Sequence, residues 1–162
     1  MIALALVCVL LLFLVLQFLS RIPYKTVNVA VYGINKSYLF TINANGYVKV
    51  QRCAIVPGEL TIFGEVHETK SFILSTADRF RIKKLLENIV LTCPPLSGNS
   101  GGFDGAPTVM TRIDDNVYFS VYYPEYNSDE GYLLKTEINE SVILLATRLI
   151  ELSPIQMEVT RN

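Results

Sequence analysis

The side chains in this chain that could do chemistry are few. Outside the apolar N-terminal run, which holds Cys8, the soft ligands are Cys53, Cys93 and His67. A zinc-type site needs closely spaced pairs such as Cys-x-x-Cys, because four ligand atoms must meet within about 2.3 Å of one ion. No such pair is present, so neither a metal nor a cofactor is expected. Cys53 and Cys93 keep two readings: one disulfide in an oxidising compartment, or two small core hydrophobes in a reducing one. Ser100, within Gly98-Asn99-Ser100-Gly101-Gly102, has the surroundings of an activated hydroxyl. Glycines there let a tight turn expose the Oγ and aim backbone amides at a developing oxyanion. Such a nucleophile also needs a base held by a third group. The single histidine lies 33 residues upstream (100 − 67), in Val66-His67-Glu68. It alternates in phase with Glu65 on a strand's outward face and reads as a solvated strand-end residue. No catalytic residue is assigned.

The Ser100 stretch resembles the nucleophile segment of trypsin-like and HtrA-like serine proteases. That resemblance would imply two β-barrels, more than this chain can hold, and it leaves no place for the helices read below. The stretch also departs from the phosphate-loop pattern, since no Lys follows and the next element is a strand. Leu96 to Pro107 is therefore read as a long surface loop holding four of the chain's 9 glycines. Asp104-Gly105 turns the chain into the next strand, with Phe103 tucked under the loop. Loops of this length in a compact domain are functional or mobile, which makes Phe103 and Asp104 candidate partner-binding residues. A second candidate surface comes from the strand Val117 to Tyr123. If Val117, Phe119, Val121 and Tyr123 face the core, Tyr118 and Tyr122 point the other way and join Tyr126 in an aromatic patch. Asn127, Asp129 and Glu130 do not match a calcium loop.

The elements that must position these residues begin with an apolar helix, residues 1–19. Fourteen of these residues are Leu, Ile, Val or Phe, and the one clearly polar side chain is Gln17. At roughly −0.3 to −0.6 kcal/mol each on the insertion scale they sum to about −4 to −8 kcal/mol. At about 1.5 Å per residue the segment spans roughly 28 Å, close to the hydrocarbon thickness. Neither a basic region before the run nor a small-x-small exit marks it as a cleaved leader, so a retained single-pass transmembrane signal-anchor is expected, with the lipid bilayer as its partner. Arg21 and Lys25 follow the helix in a juxtamembrane linker, residues 20–25, and lean the domain toward the cytoplasm.

Residues 26–162 read as a single globular domain. Val27, Val29 and Val31 alternate with polar or small neighbours, as in a half-buried strand. Tyr38, Phe40 and Ile42 continue the pattern, Asn45-Gly46 makes a two-residue hairpin turn, and Val48 and Val50 return. Leu60 to Val66 and a short piece at Phe72 to Leu74 complete a meander. Ser75 or Thr76 caps a helix, with Asp78 as the acidic partner of a capping box; its buried face is Ile82, Leu85, Leu86, Ile89 and Val90, with Arg79, Arg81, Lys83, Lys84 and Glu87 turned away. Pro94-Pro95 ends it. A hairpin, Thr108 to Ile113 and Val117 to Tyr123, precedes a last helix from about Thr136 to Leu152. The fold class is α+β: an antiparallel β-meander, helix, β-hairpin and helix, with the helices on one face of the sheet.

A net charge of −1 and a pI near 5.8 give no electrostatic case for nucleic acid. Element order from Leu60 to Leu152, with the Gly102-Phe103-Asp104-Gly105 motif, is similar to small bacterial envelope and lipoprotein-like domains. That resemblance implies an envelope setting and brings no catalytic residue with it. The expected function is a membrane-tethered, non-enzymatic binding or accessory module with a protein partner. The alternative is a small enzyme, inhibitor or protective protein that uses the loop 96–107.

Overall fold

The computed structural model describes residues 2–32, 36–55, 63–93, 95, 108–121 and 140–157. Among the described residues three helices and six strands follow in the order α1 (Ile2–Leu19), β1 (Val27–Tyr32), β2 (Ser37–Ile42), β3 (Tyr47–Ile55), β4 (Phe63–Ile73), α2 (Thr76–Thr92), β5 (Thr108–Ile113), β6 (Asn116–Val121) and α3 (Glu140–Leu152). The strands form one antiparallel sheet in the order β4-β3-β2-β1-β5-β6. The chain meanders outward from β1 to β4, crosses back through α2, and adds the β5–β6 hairpin on the other side of β1.

Register explains the core. Val48, Ile42, Val27 and Ile113 lie opposite one another across four strands, and Val50, Phe40, Val29, Thr111 and Tyr118 form the next inward row. Opposed residues in an antiparallel pair share a face, so one apolar face collects these residues and the helices cover it. α2 contributes Ile82, Leu86 and Ile89, and α3 contributes Val142, Leu145, Ala146 and Leu149, all buried at helical spacing. Each of these isoleucine, leucine and valine side chains is worth roughly 1.5–3 kcal/mol of burial. Beyond α3, Ile155 is buried in the same core and the Pro154 carbonyl accepts from Lys70 Nζ at 3.3 Å, so the C-terminal segment reaches β4.

Five expectations are corrected. Tyr118 does not face outward; it is 3% exposed and part of the core. The alternation of β6 alone does not set its phase: β5 buries Val109, Thr111 and Ile113, and the pairing Thr111↔Tyr118 carries that face across. β4 is one strand of 11 residues, and it accommodates a register shift by leaving His67 unpaired between Val66 and Glu68. The β2–β3 turn is wider than two residues: Asn43 and Tyr47 close it through Asn43 N to Tyr47 O at 2.9 Å, and only Gly46 there has positive φ (82°). Arg79 is not turned to solvent but is buried at 7% exposure, while Val90 is exposed.

No disulfide joins Cys53 to Cys93. Cys53 is aligned with Ser37 on the sheet face opposite the helices, whereas Cys93 packs against the helix-side core. Burial pushes the Cys53 thiol up. Nearby Tyr32 is pushed up to about 12, first by burial and then by Cys53.

Candidate functional site

The structure concentrates its polar architecture where α1 meets the domain. Every described side chain of α1, from Leu4 to Leu19, is exposed except Gln17, which is half-buried. Among the described residues no helix is long and apolar enough to cross a membrane. The side chains described in α1 cover 16 of its 18 residues.

Gln17 accounts for its own place in the apolar run. Its Oε1 accepts from Arg79 Nη2 at 2.5 Å, and the same nitrogen reaches Thr76 Oγ1 at 3.1 Å. The Arg79 stem lies across Gly46. A Cβ at Gly46 would come within 2.4 Å of Arg79 Cδ, so glycine serves both the left-handed backbone and the close approach of the arginine. Arg79 Nε has no partner among the described residues. Lys83, one turn further along α2, donates to the Leu19 carbonyl at 3.1 Å. The last turn of α1 has no basic residue of its own, so α2 supplies the positive charge that its C-terminal carbonyls favour.

The connection after α1 is equally fixed. Ser20 N donates to Leu16 O at 3.0 Å and Ser20 is fully buried, while Ile22 enters the core and its N–H donates to Ala44 O at 3.0 Å. Asp114 Oδ1 accepts from Lys25 N at 2.9 Å and Thr26 N at 3.0 Å. Residues 20–26 are therefore a bonded strap rather than a loose linker. Its outer side carries a groove of about 450 Å³ lined by Phe18, Arg21, Pro23, Tyr24, Lys25 and Ala44, with Ile22 at its base.

A second feature ties the two domain helices together. Ser75 caps α2: its Oγ accepts from Asp78 N at 3.1 Å and donates to Asp78 Oδ2 at 2.6 Å. Asp78 Oδ1 accepts from Arg148 Nη2 at 2.6 Å and Nε at 3.1 Å, and Arg148 Nη1 donates to Glu151 at 2.7 Å. The Ser75 hydroxyl, then the Arg148 guanidinium, hold the Asp78 carboxyl below its ordinary range against the opposing effect of burial. Asn88 Nδ2 donates to Ser141 Oγ further along the seam. Above this seam lies an open groove of about 770 Å³, bordered by Arg81, Lys84 and Leu91 of α2 and by Leu144, Thr147 and Arg148 of α3. Leu91 is 83% and Leu144 48% exposed.

Of the sequence-derived candidates, Tyr118 is a core residue, and burial raises its hydroxyl's pKa. Phe103, Asp104, Tyr122 and Tyr126 lie outside the described residues, as do Ser100 and the whole loop 96–107. His67 is exposed at its bulge. Among the described residues no group of three His, Cys, Asp or Glu side chains could hold a metal ion. Sequence reasoning left the cap of α2 between Ser75 and Thr76, of which the structure uses Ser75, and it missed Arg79 and Arg148. Gln17 was the available signal for Arg79, as a lone amide in an apolar helix calls for a partner. No family model, curated protein or solved structure matches the chain.

Proposed function

We propose that this protein is a single-pass, membrane-tethered binding module without enzymatic activity. In this reading α1 is the anchor and the α2–α3 groove is the surface that meets a protein partner. One observation carries it: the exposed apolar helix α1, whose single polar side chain is already bonded to Arg79 of the domain. Taken over its whole backbone, α1 has 18 residues, roughly 27 Å at about 1.5 Å per residue and within the 17–25 residues that membrane helices use. Leaving such a surface in water would expose far more contiguous apolar area than soluble monomers carry. Arg21 and Lys25 just beyond it favour a cytoplasmic domain.

The α2–α3 groove combines two exposed leucines with arginine and lysine at its rim, the mixture of apolar centre and polar border typical of partner surfaces. Site-specific photo-crosslinking from Thr147 in the native membrane tests this reading. A defined protein adduct that disappears in the Leu91→Glu/Leu144→Glu variant is the expected result. An adduct unchanged by that variant places the partner elsewhere and refutes the groove.

A further inference from the structure

The end of the domain from which α1 emerges carries two features that the tether alone does not require. The first is the groove beside the strap. Among the described residues its lining holds two cations, Arg21 and Lys25, and no carboxylate, with the exposed Phe18 ring at its α1 end. Two carboxylates are close enough to act on Tyr24 in that lining, Glu87 and Asp114; Asp114 Oδ1 binds the Lys25 and Thr26 amides, and Glu87 lies 3.9 Å from Lys83. The second feature is an apolar pair on the neighbouring strand ends. Tyr47 and Ile73 are opposed in the β3–β4 register and are 39% and 76% exposed, at the hairpin whose Ala44 carbonyl receives Ile22 N–H. An isoleucine so exposed at the tip of an edge strand gains nothing from water. Beside a membrane helix, an isoleucine and a tyrosine suit the bilayer interface, where tyrosine is enriched.

We propose that this groove binds the phosphate of an anionic phospholipid, whose acyl chains lie along the last turns of α1 while Arg21 and Lys25 hold its headgroup. The proposal rests on the tether reading and goes beyond it by giving the tether a lipid preference. Depth and charge agree. A lipid beside α1 places its phosphate just past Leu19, the level of Arg21, and the two cations lining the groove favour a net negative headgroup over a zwitterionic one. The strap makes this a fixed site, because Ile22 in the core and the Lys25–Asp114 bond hold the groove's floor in place.

The test uses the full chain in vesicles of phosphatidylcholine containing a minor fraction of phosphatidylglycerol. Flotation first measures incorporation, and spin-labelled lipids then measure which headgroup the protein immobilises. The wild type should immobilise phosphatidylglycerol with about a tenfold preference, which two interfacial cations can supply, and Arg21→Gln/Lys25→Gln should float equally well with the preference reduced to about one. Equal immobilisation of both lipids by the wild type overturns the proposal, and so does a preference retained by the double variant. A preference abolished by excess inorganic phosphate at constant ionic strength assigns the groove to free phosphate and overturns the lipid. Failure of the wild type to float with vesicles overturns the tether, and this site with it.

Discussion

Asp78 completes the cap of α2 and joins its start to α3, and Asp78→Ala measures chiefly the cap. The substitution leaves the Ser75 Oγ bond to the residue 78 amide in place but removes both carboxylate oxygens. Losing the charge-assisted bond from Ser75 costs about 1.5–3 kcal/mol. Losing a negative charge in the first turn of α2 costs about 0.3–1 kcal/mol more. Arg148 adds little to this sum, because its guanidinium is partly solvated and keeps Glu151. The expected destabilisation is about 2–4 kcal/mol, or roughly 10 °C in Tm for a domain of this size. Urea unfolding of the full chain in mild detergent, followed by far-UV circular dichroism, reads it directly. Ser75→Ala combined with Asp78→Ala should be less destabilising than the sum of the two, since contacting residues couple. A loss below about 0.5 kcal/mol, the range of ordinary surface substitutions, refutes the role assigned to this carboxylate.

Three further outcomes follow from the same structure. Because the Asp78 pKa is lowered from its ordinary 3.8, its contribution to stability is complete above that value and is lost as the pH falls through the folded-state pKa. A urea midpoint series from pH 6 downward should therefore show an acid-side loss that is smaller in Asp78→Ala. Gly46→Ala forces a left-handed backbone at 82° and drives a Cβ into Arg79, costing about 1–2 kcal/mol from the backbone alone; the urea midpoint checks it, and an unchanged midpoint contradicts the packing described. Thr111 is fully buried with a hydroxyl that has no partner among the described residues, so the nearly isosteric Thr111→Val should raise stability by about 1 kcal/mol, measured in the same titration.

What the sequence made legible was set by local physics. The Val27-Val29-Val31 alternation placed β1 correctly, and Ser75 followed by Asp78 marked the start of α2, because a cap and a period of two are written in neighbouring residues. Tyr118 was misplaced because both faces of β6 carry apolar side chains, and only the pairing of Thr111 with Tyr118 settles which face is inward. The two turns show the same limit. Asn45-Gly46 located a hairpin, but the left-handed residues are Gly46 and Asp114, and the positions that close each turn depend on strand pairing. Arg79 and Arg148 were illegible as site residues, since their partners lie 62 and 70 positions away along the chain. On a helical wheel Arg79 belongs to the solvent side; it is buried because α1 and the β2–β3 hairpin arrive there from distant sequence.

The central claim is that α1 stays with the chain and holds the domain at a bilayer. Intact-mass analysis of the protein recovered from alkaline-carbonate-washed membranes tests it most directly. The account predicts a membrane-pelleted species that retains residues 1–19, at about 18.2 kDa. A carbonate-soluble species whose mass corresponds to a chain starting near Arg21 would contradict it.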